Sequence, residues 1–494
     1  MYYLGFDVGS SSVKVALVDA NNGKLVDLIH SHEREMAMHS ENPGWAEQDP
    51  AMWWSALCDA TQKLLRKTKV DPKLIRSIGI SYQMHGLVLI DKNYEVLRPS
   101  IIWCDSRAVE IGDQALNKLG VDYCFDHLLN SPGNFTASKL RWVKENEPEV
   151  YEKIYKILLP GDYIAMKLTG VVNTTISGLS EGIFWDFKES RISEKLLDCY
   201  EINEELIPDI VDTFDMQGKV TEKAAIETGL EKGIPVTYRA GDQPNNAMSL
   251  GVLNPGEVAA TGGTSGVVYG ISDQIISDKA SRINAFAHVN HTHSKNRIGQ
   301  LLCINGAGSQ YAWVRKYIAE SNQTYGEMEK MASKISYGSE GLFIHPFGNG
   351  AERMLRNYQS GGQISGLQFN VHNSAHFFRA ALEGIAFSFV YGLKFMEQLG
   401  ISANKMRVGN DNLFQSNIFA GTICNLIGCN IEMVDTTGAA GAAQASGIAI
   451  GDFDSPEEAI KVSETVRLYE PDKDREKYLE VYANWLQILN QLLE

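Results

Sequence analysis

The sequence predicts an α/β fold in two halves, each built around a hairpin whose turn is made of small polar residues. Three observations carry this expectation. Strand-like and helix-like runs alternate along all 494 residues, as they do in α/β and α+β domains. The stretch GFDVGSSSVKVALVD (residues 5–19) reads as strand, tight turn, strand. GEVAATGGTSGVVYGIS (256–272) repeats that style, setting Gly263-Thr264-Ser265-Gly266-Val267 beside Gly9-Ser10-Ser11-Ser12-Val13. Small residues dominate all tight hairpins, so one such match is weak. Two copies, one near the start of each half, point to a duplicated nucleotide-binding architecture.

Taken in order, residues 2–32 are expected to form three strands. The second and third are joined at Asn21-Asn22-Gly23, where the turn needs positive φ. Residues 50–68 read as an amphipathic helix, IRSIGISYQ (75–83) as a strand, and VLIDKNYEVLRPSIIW (88–103) as a further hairpin. IPVTYRAGD (234–242) is a strand running into a turn. A helix from Asn373 to about Leu399 carries the apolar stripe Phe378, Leu382, Ile385, Phe389, Leu393. The last helix repeats this with Tyr478, Tyr482, Trp485, Leu489 and Leu492. Both stripes are read as core.

Composition narrows the function classes. The length fits about three domains or two large ones, and 44% hydrophobic with 21% charged residues is ordinary for a globular chain. A net charge of −16 argues against a broad surface for nucleic acid or acidic lipid. It leaves room for a local pocket that takes a phosphorylated ligand. The seven cysteines include no CxxC pair and are expected to be free thiols in a reducing compartment. No leader-like segment precedes the first strand-like run, and no stretch of ~18 apolar residues occurs. The expectation is a cytoplasmic protein without membrane or nucleic-acid partners; a homodimer is left open.

The two small-residue turns are the first candidates for chemistry. Consecutive exposed N–H groups make an anion nest, hydroxyls add donors, and absent side-chain bulk lets backbone approach phosphate. Asp7 ends a strand where it would hold Mg²⁺ through water, and Lys14 is set to face phosphates. Either turn alone is more often a plain hairpin. In RAGDQPNNAMSLG (239–251), Asp242 leaves a strand ahead of a small-residue helix. Its commoner role is a helix N-cap, and its functional role would be a general base for phosphoryl transfer. Met84, His85, Trp103, Asp105 and Arg107 fall at strand ends, a polar and apolar mixture suited to a polyol. GAAGAAQASG (438–447) is a helix start suited to close packing or to an adenosine face, with packing the safer reading. Rival motifs fail: no G-x-x-x-x-G-K-[ST] occurs, and HEREM (32–36) misses the H-E-x-x-H pattern. His288, His291 and His293 lack neighbouring carboxylates or Cys, a weak case for a metal.

The order of these motifs resembles the FGGY carbohydrate kinases, and within them the xylulokinase group. The phosphate hairpin D-x-G-T/S-S-x-x-K appears as Asp7 to Lys14, and QMHG as Gln83 to Gly86. LRPSIIWCDSR (97–107) stands where that group has L-R-P-x-x-x-W-x-D-x-R. FTASKLRWVKENEP (135–148) is similar to the first family signature, with Lys139 and Trp142 in their places. Residues 362–384 are similar to the second, and ATGGTSG (260–266) to the second phosphate hairpin. The likeness runs from residue 2 to about 450.

The resemblance implies two actin-like (ribonuclease H-like) domains with a cleft between them. Residues 1–240 would form the sugar-binding domain and 241–494 the ATP-binding domain. It implies ATP and Mg²⁺, and D-xylulose as the sugar. Asp242 would take the C5 hydroxyl proton as that oxygen attacks the γ-phosphate. Met84 and His85 would contact sugar, with Gln243 and Asn134 as further candidates. Gly9, Ser10, Ser11, Ser12 and Lys14, with Gly263, Thr264 and Ser265, would hold phosphate, and Asp7 the metal. Gly308, Gly409 and Asn412 would meet adenosine. The chain departs from the family at Gly409-Asn410-Asp411, usually G-G-G or G-G-A. It departs again at TTISG (174–178), which lacks the acids of some xylulokinases, and at GDQP, which is GDN in several members. Kinases for L-ribulose, gluconate or another polyol remain alternatives, as does an actin-like ATP-dependent sugar sensor.

Overall fold

The computed structural model describes residues 1–31, 35–410, 412–460 and 465–494. The HEREM stretch and Asp411 therefore lie partly or wholly outside the described residues. Two sheets organise the chain. The first uses β1 (Tyr2–Val8), β2 (Val13–Asp19), β3 (Leu25–His30), β4 (Ile75–Tyr82), β7 (Gly218–Lys219) and β8 (Pro235–Gly241), in the order β7-β8-β4-β1-β2-β3. Two short strands outside it, β5 (Val88–Ile90) and β6 (Lys156–Leu158), pair with each other. The second sheet uses β9 (Glu257–Gly262), β10 (Gly266–Ser272), β11 (Asn284–Ala287), β12 (Ile298–Ile304), β13 (Lys405–Gly409), β14 (Ile431–Val434) and β15 (Thr465–Tyr469). Its order is β11-β12-β10-β9-β13-β14-β15.

The two sheets share one plan. In each, the opening strand pairs antiparallel with its hairpin partner and parallel with a later strand on the other side. The hairpin turns Gly9–Ser12 and Gly263–Ser265 therefore occupy equivalent places at the strand ends. This is the two-domain α/β architecture that the duplicated turns and the family likeness led us to expect.

Burial explains the strand composition. Leu4, Phe6 and Val8 of β1, with Val13, Val15 and Leu17 of β2, are fully enclosed. A sheet covered on both faces reads as an apolar run rather than an alternation. One face lies against α1 (Pro50–Thr68), whose Asp49 accepts from the Ala51 N–H and caps its start. The other face takes α7 (Gly438–Ser446), a helix from the far half of the chain. A Cβ on Gly5 would stand 1.8 Å from the Ala439 carbonyl oxygen, and one on Gly79 1.9 Å from that of Ala442. Only glycine lets this helix seat so closely, so the packing reading of 438–447 is the one realised. The long helix α6 (Ser374–Gln398) buries Phe378, Leu382, Ile385, Phe389 and Leu393, as its stripe predicts. Removing one such side chain, as in Leu382→Ala, costs about 2–5 kcal/mol. The last helix, α8 (Arg475–Leu493), buries Tyr478, Tyr482, Trp485 and Leu489 in the same core.

The hairpin read over 88–103 is present as a short local return. The Leu97 N–H donates to the Leu89 carbonyl at 2.9 Å and the Asp91 N–H to that of Glu95 at 3.0 Å, with bridges at Ile90–Val96 and Leu87–Ile101. Val88–Ile90 also pairs with Lys156–Leu158. That second partner lies nearly 70 residues away, and no local pattern announces it.

Candidate active site

The site grows from the end of β8. Asp242 is the first residue of α4 (Asp242–Ser249), and Gly241, not Asp242, is the N-cap; no side-chain cap bond forms there. The commoner structural role of this aspartate is therefore unused. Asp242 is half-buried, and desolvation first, then the charge of Asp7, push its pKa up to about 7. The Gln243 side chain and N–H both hydrogen-bond to it and offset part of that rise.

Asp7 comes from the end of β1. Its Oδ2 receives Lys14 Nζ at 3.3 Å, and Oδ1 accepts from Ser81 Oγ at 3.2 Å. Lys14 is thus engaged by Asp7 across the hairpin register rather than left open toward the turn. The turn itself closes with Gly9 N–H donating to the Ser12 carbonyl at 3.1 Å. Ser10 is held twice, by Gln48 Nε2 on its carbonyl (2.7 Å) and Trp103 Nε1 on its hydroxyl (3.3 Å). The Ser11 carbonyl accepts from the Met36 N–H at 2.9 Å. Side chains and a neighbouring loop thereby fix the carbonyls of the first turn.

The second turn is fixed differently. The N–H groups of Gly308 and Ser309, in the first turn of α5 (Ala307–Tyr317), donate to the Gly263 and Thr264 carbonyls, each at 3.0 Å. A Cβ on Gly308 would stand 2.3 Å from the Gly263 oxygen, so glycine is required there. This turn walls a cavity of about 620 Å³. Gly263, Thr264, Gly308 and Asn412 all line it, as do Tyr311 and Tyr325, whose rings stack with centroids 5.4 Å apart. Gly409 ends β13 and is not among the lining residues.

Met84 and His85 follow β4. His85 is held at φ 62°, a strained region for a non-glycine residue. Lys139 Nζ of α2 (Thr136–Asn146) donates to the His85 carbonyl at 2.9 Å, and to that of Ile102 at 2.9 Å. The His85 ring sits against Phe135 and Phe286, with centroids 4.9 and 5.3 Å away. Its Nδ1 lies 2.9 Å from the Glu181 carbonyl oxygen. A carbonyl only accepts, so Nδ1 carries the proton and Nε2 presents a lone pair. Burial lowers the His85 pKa to about 3, which keeps the ring neutral. Asn134 precedes Phe135, and its Oδ1 is buried without a hydrogen-bond partner.

Met84 also packs against Gly241, the residue that precedes Asp242. A Cβ on Gly241 would stand 2.6 Å from Met84 Cγ and 2.5 Å from Glu181 Oε2. The structure thus gathers Met84, His85, Asp242, Gln243 and Asp7 around the ends of β1, β4 and β8. The second turn belongs to the other sheet. Glu181, Phe135 and Phe286 were missed in the sequence. The one available signal for Glu181 was an acid inside the otherwise apolar run GLSEGIFW. Among the described residues no group of three or more His, Cys, Asp or Glu is arranged to hold a metal, and the 288–293 histidines are no exception. His288 is instead hydrogen-bonded to Tyr269, and His291 accepts from the Arg297 N–H. No helix among the described residues is long and apolar enough to cross a membrane.

Comparison with known proteins agrees with this arrangement. Residues 2–249 match the N-terminal domain of the FGGY family of carbohydrate kinases, and 258–450 match its C-terminal domain. The xylulose kinase of Bacillus subtilis strain 168 is 29% identical over 98% of this chain and 96% of its own. The crystal structure of xylulose kinase from Rhodospirillum rubrum superposes with a TM-score of 0.89 at 25% identity, covering 100% of this chain and 99% of that one. A gluconate kinase from Lactobacillus acidophilus gives the same TM-score at 22% identity, over 100% and 98% of the two chains. The fold is therefore common to kinases named for different sugars, and the choice of sugar must lie in side chains.

Proposed function

The chain belongs to the FGGY family of carbohydrate kinases and is an ATP-dependent sugar kinase, and on that premise we propose that it phosphorylates D-xylulose at the C5 hydroxyl with Asp242 as general base. The observation that carries the reading is the carboxyl of Asp242. It opens a helix at the strand ends, makes no cap bond, and has a pKa pushed up to about 7. A base works best when its pKa lies near the operating pH. In the reaction the sugar oxygen bonds to the γ-phosphorus, the bond from that phosphorus to the bridging oxygen breaks, and ADP leaves. The hydroxyl proton passes to Asp242. The transition state is loose, so alignment and charge stabilisation do most of the work.

Residues 1–240 are assigned to sugar and 241–494 mainly to ATP. Nε2 of His85 accepts from a sugar hydroxyl, Met84 and the flanking phenylalanines meet C–H faces, and Gln243 and Asn134 supply polar contacts. The turns Gly9–Ser12 and Gly263–Ser265 face the phosphates, and the cavity bounded by Gly308, Asn412, Tyr311 and Tyr325 takes the adenosine side. Mg²⁺ fits Asp7. This carboxylate raises the pKa of Asp242, a repulsion that a cation there relieves, and Mg²⁺ needs only one or two protein carboxylates beside water and phosphate oxygens. When bound it supplies charge neutralisation at the phosphates.

A panel of purified D-xylulose, L-xylulose, L-ribulose, gluconate and glycerol, with ADP release followed by a coupled assay, tests the substrate. D-Xylulose is expected to give the highest kcat/KM. No response to it overturns the assignment, and ADP release without any sugar phosphate would favour an ATP-driven sensor.

A further inference from the structure

Glu181 lies beneath the site and takes no part in the chemistry described so far. It is the last residue of α3 (Ile176–Glu181) and is 1% exposed. Its two ends serve two different catalytic neighbours. The backbone carbonyl receives His85 Nδ1, and side-chain Oε2 packs against Gly241, the residue that leads into Asp242. Oε1 makes no close hydrogen bond, and the Tyr82 hydroxyl and the His85 backbone N–H, which approach the carboxyl and favour its charged form, offset only part of the cost of burial. The charged and titratable groups around it are Tyr82 of β4, Asp162, Arg239 of β8, Asp242, Lys139 and Tyr269 of β10.

The two cations in that shell are already engaged. Arg239 Nε pairs with Asp162 Oδ1 at 2.9 Å and Nη2 donates to Asn173, while Lys139 Nζ donates to two carbonyls. Among the described residues no cation lies within ion-pair distance of Glu181. A buried carboxylate with one oxygen lacking a close hydrogen bond and no counter-ion is far more costly ionised than neutral. We propose that Glu181 is a positioning residue that stays a neutral carboxylic acid, fixing the His85 tautomer through its carbonyl and seating Gly241 so that Asp242 alone carries the negative charge on that side of the cleft. Burial first, then the charges of Asp242 and Asp162, hold Glu181 well above the usual carboxylate range, in the same direction as the geometry. Two carboxyls whose surroundings push them apart in this way divide into one that keeps its proton and one that exchanges it.

The inference rests on the reading of Asp242 as the base, and the test separates the two. Glu181→Gln replaces the neutral acid by a neutral group of the same shape. It is expected to keep kcat within about threefold of the parent, with the acid limb of kcat/KM unmoved. Glu181→Ala leaves a gap behind Gly241 and is expected to lower kcat about tenfold or more while KM for ATP stays the same, because small misplacements of a catalytic group are costly. The infrared difference spectrum of parent minus Glu181→Gln at pH 8 is expected to contain a protonated-carboxyl C=O band. That band does not depend on the role of Asp242. Its absence, a Glu181→Gln acid limb displaced to lower pH by a unit, or full kcat in Glu181→Ala overturns the proposal. If Glu181→Ala does not fold, the band and the Glu181→Gln pH profile decide alone. Undiminished turnover in Asp242→Asn would instead overturn the base, with the infrared result standing or falling separately.

Discussion

The two hairpins share a place in their sheets and differ in what holds them. The first is anchored by side chains: Gln48 and Trp103 grip Ser10, and Asp7 pairs with Lys14 across its mouth. The second is anchored by backbone alone, the N-terminal N–H groups of α5 reaching the Gly263 and Thr264 carbonyls. The first therefore carries charge beside Asp242, whereas the second is neutral and forms a wall of the 620 Å³ cavity. Under the proposed function this difference has a use: one copy of the scaffold would serve metal and proton chemistry and the other would hold the nucleotide.

The largest expected effect comes from the group between them. Asp242→Asn should still bind sugar and ATP but lose at least ~100-fold in kcat, measured by coupled ADP release. It should also be the more stable protein at pH 8. The folded-state pKa of about 7 lies above the 3.8 of an ordinary aspartate, so between these values the native state holds a proton that the unfolded chain has released. That contribution to stability fades as pH rises through this window. A Tm about 2 °C or more above the parent at pH 8 is expected by scanning calorimetry, shrinking toward pH 4.

Asp7→Ala comes next and acts on the charged hairpin. It should lower turnover at a given Mg²⁺ concentration by more than tenfold, roughly the worth of a well-placed charge, while the sugar Kd from titration calorimetry changes little. Equal damage to both would erase the distinction between the hairpins. Gly308→Ala acts on the neutral hairpin and should be milder. Its Cβ would press on the Gly263 oxygen, so KM for ATP should rise a few-fold to about tenfold with KM for sugar unchanged. A rise in sugar KM instead would mean that the second turn does not serve the nucleotide.

What the sequence disclosed follows from range. The hairpins, α1 and α6 are written in local periodicity and turn residues, and the bounds of α1 and α6 could be read within a residue or two; α8 was legible through its apolar stripe, of which Leu492 alone is only half-buried. Asp242 was found through its place after a strand, yet its position as the first helical residue, one past the N-cap, needed the backbone. Contacts set by distant chain segments stayed hidden. The seating of α7 on the first sheet depends on Gly5 and Gly79 together, and the pairing of Val88–Ile90 on residues near 157. Glu181 reaches Gly241 and His85 only once three elements have met, so no window of sequence contains it. Lys14 was legible as a lysine beside a small-residue turn, but its partner Asp7 sits across the strand register, and that pairing is a property of the folded hairpin.

The most direct test of the account is the pH dependence of kcat/KM for D-xylulose at saturating Mg-ATP. A general base that must be ionised, with its pKa raised chiefly by burial and the Asp7 contribution relieved once Mg²⁺ is bound, predicts a rate that climbs with pH through a limb at or below about 7 and then levels off. A profile already flat from pH 5 to 8 would contradict the assignment of Asp242.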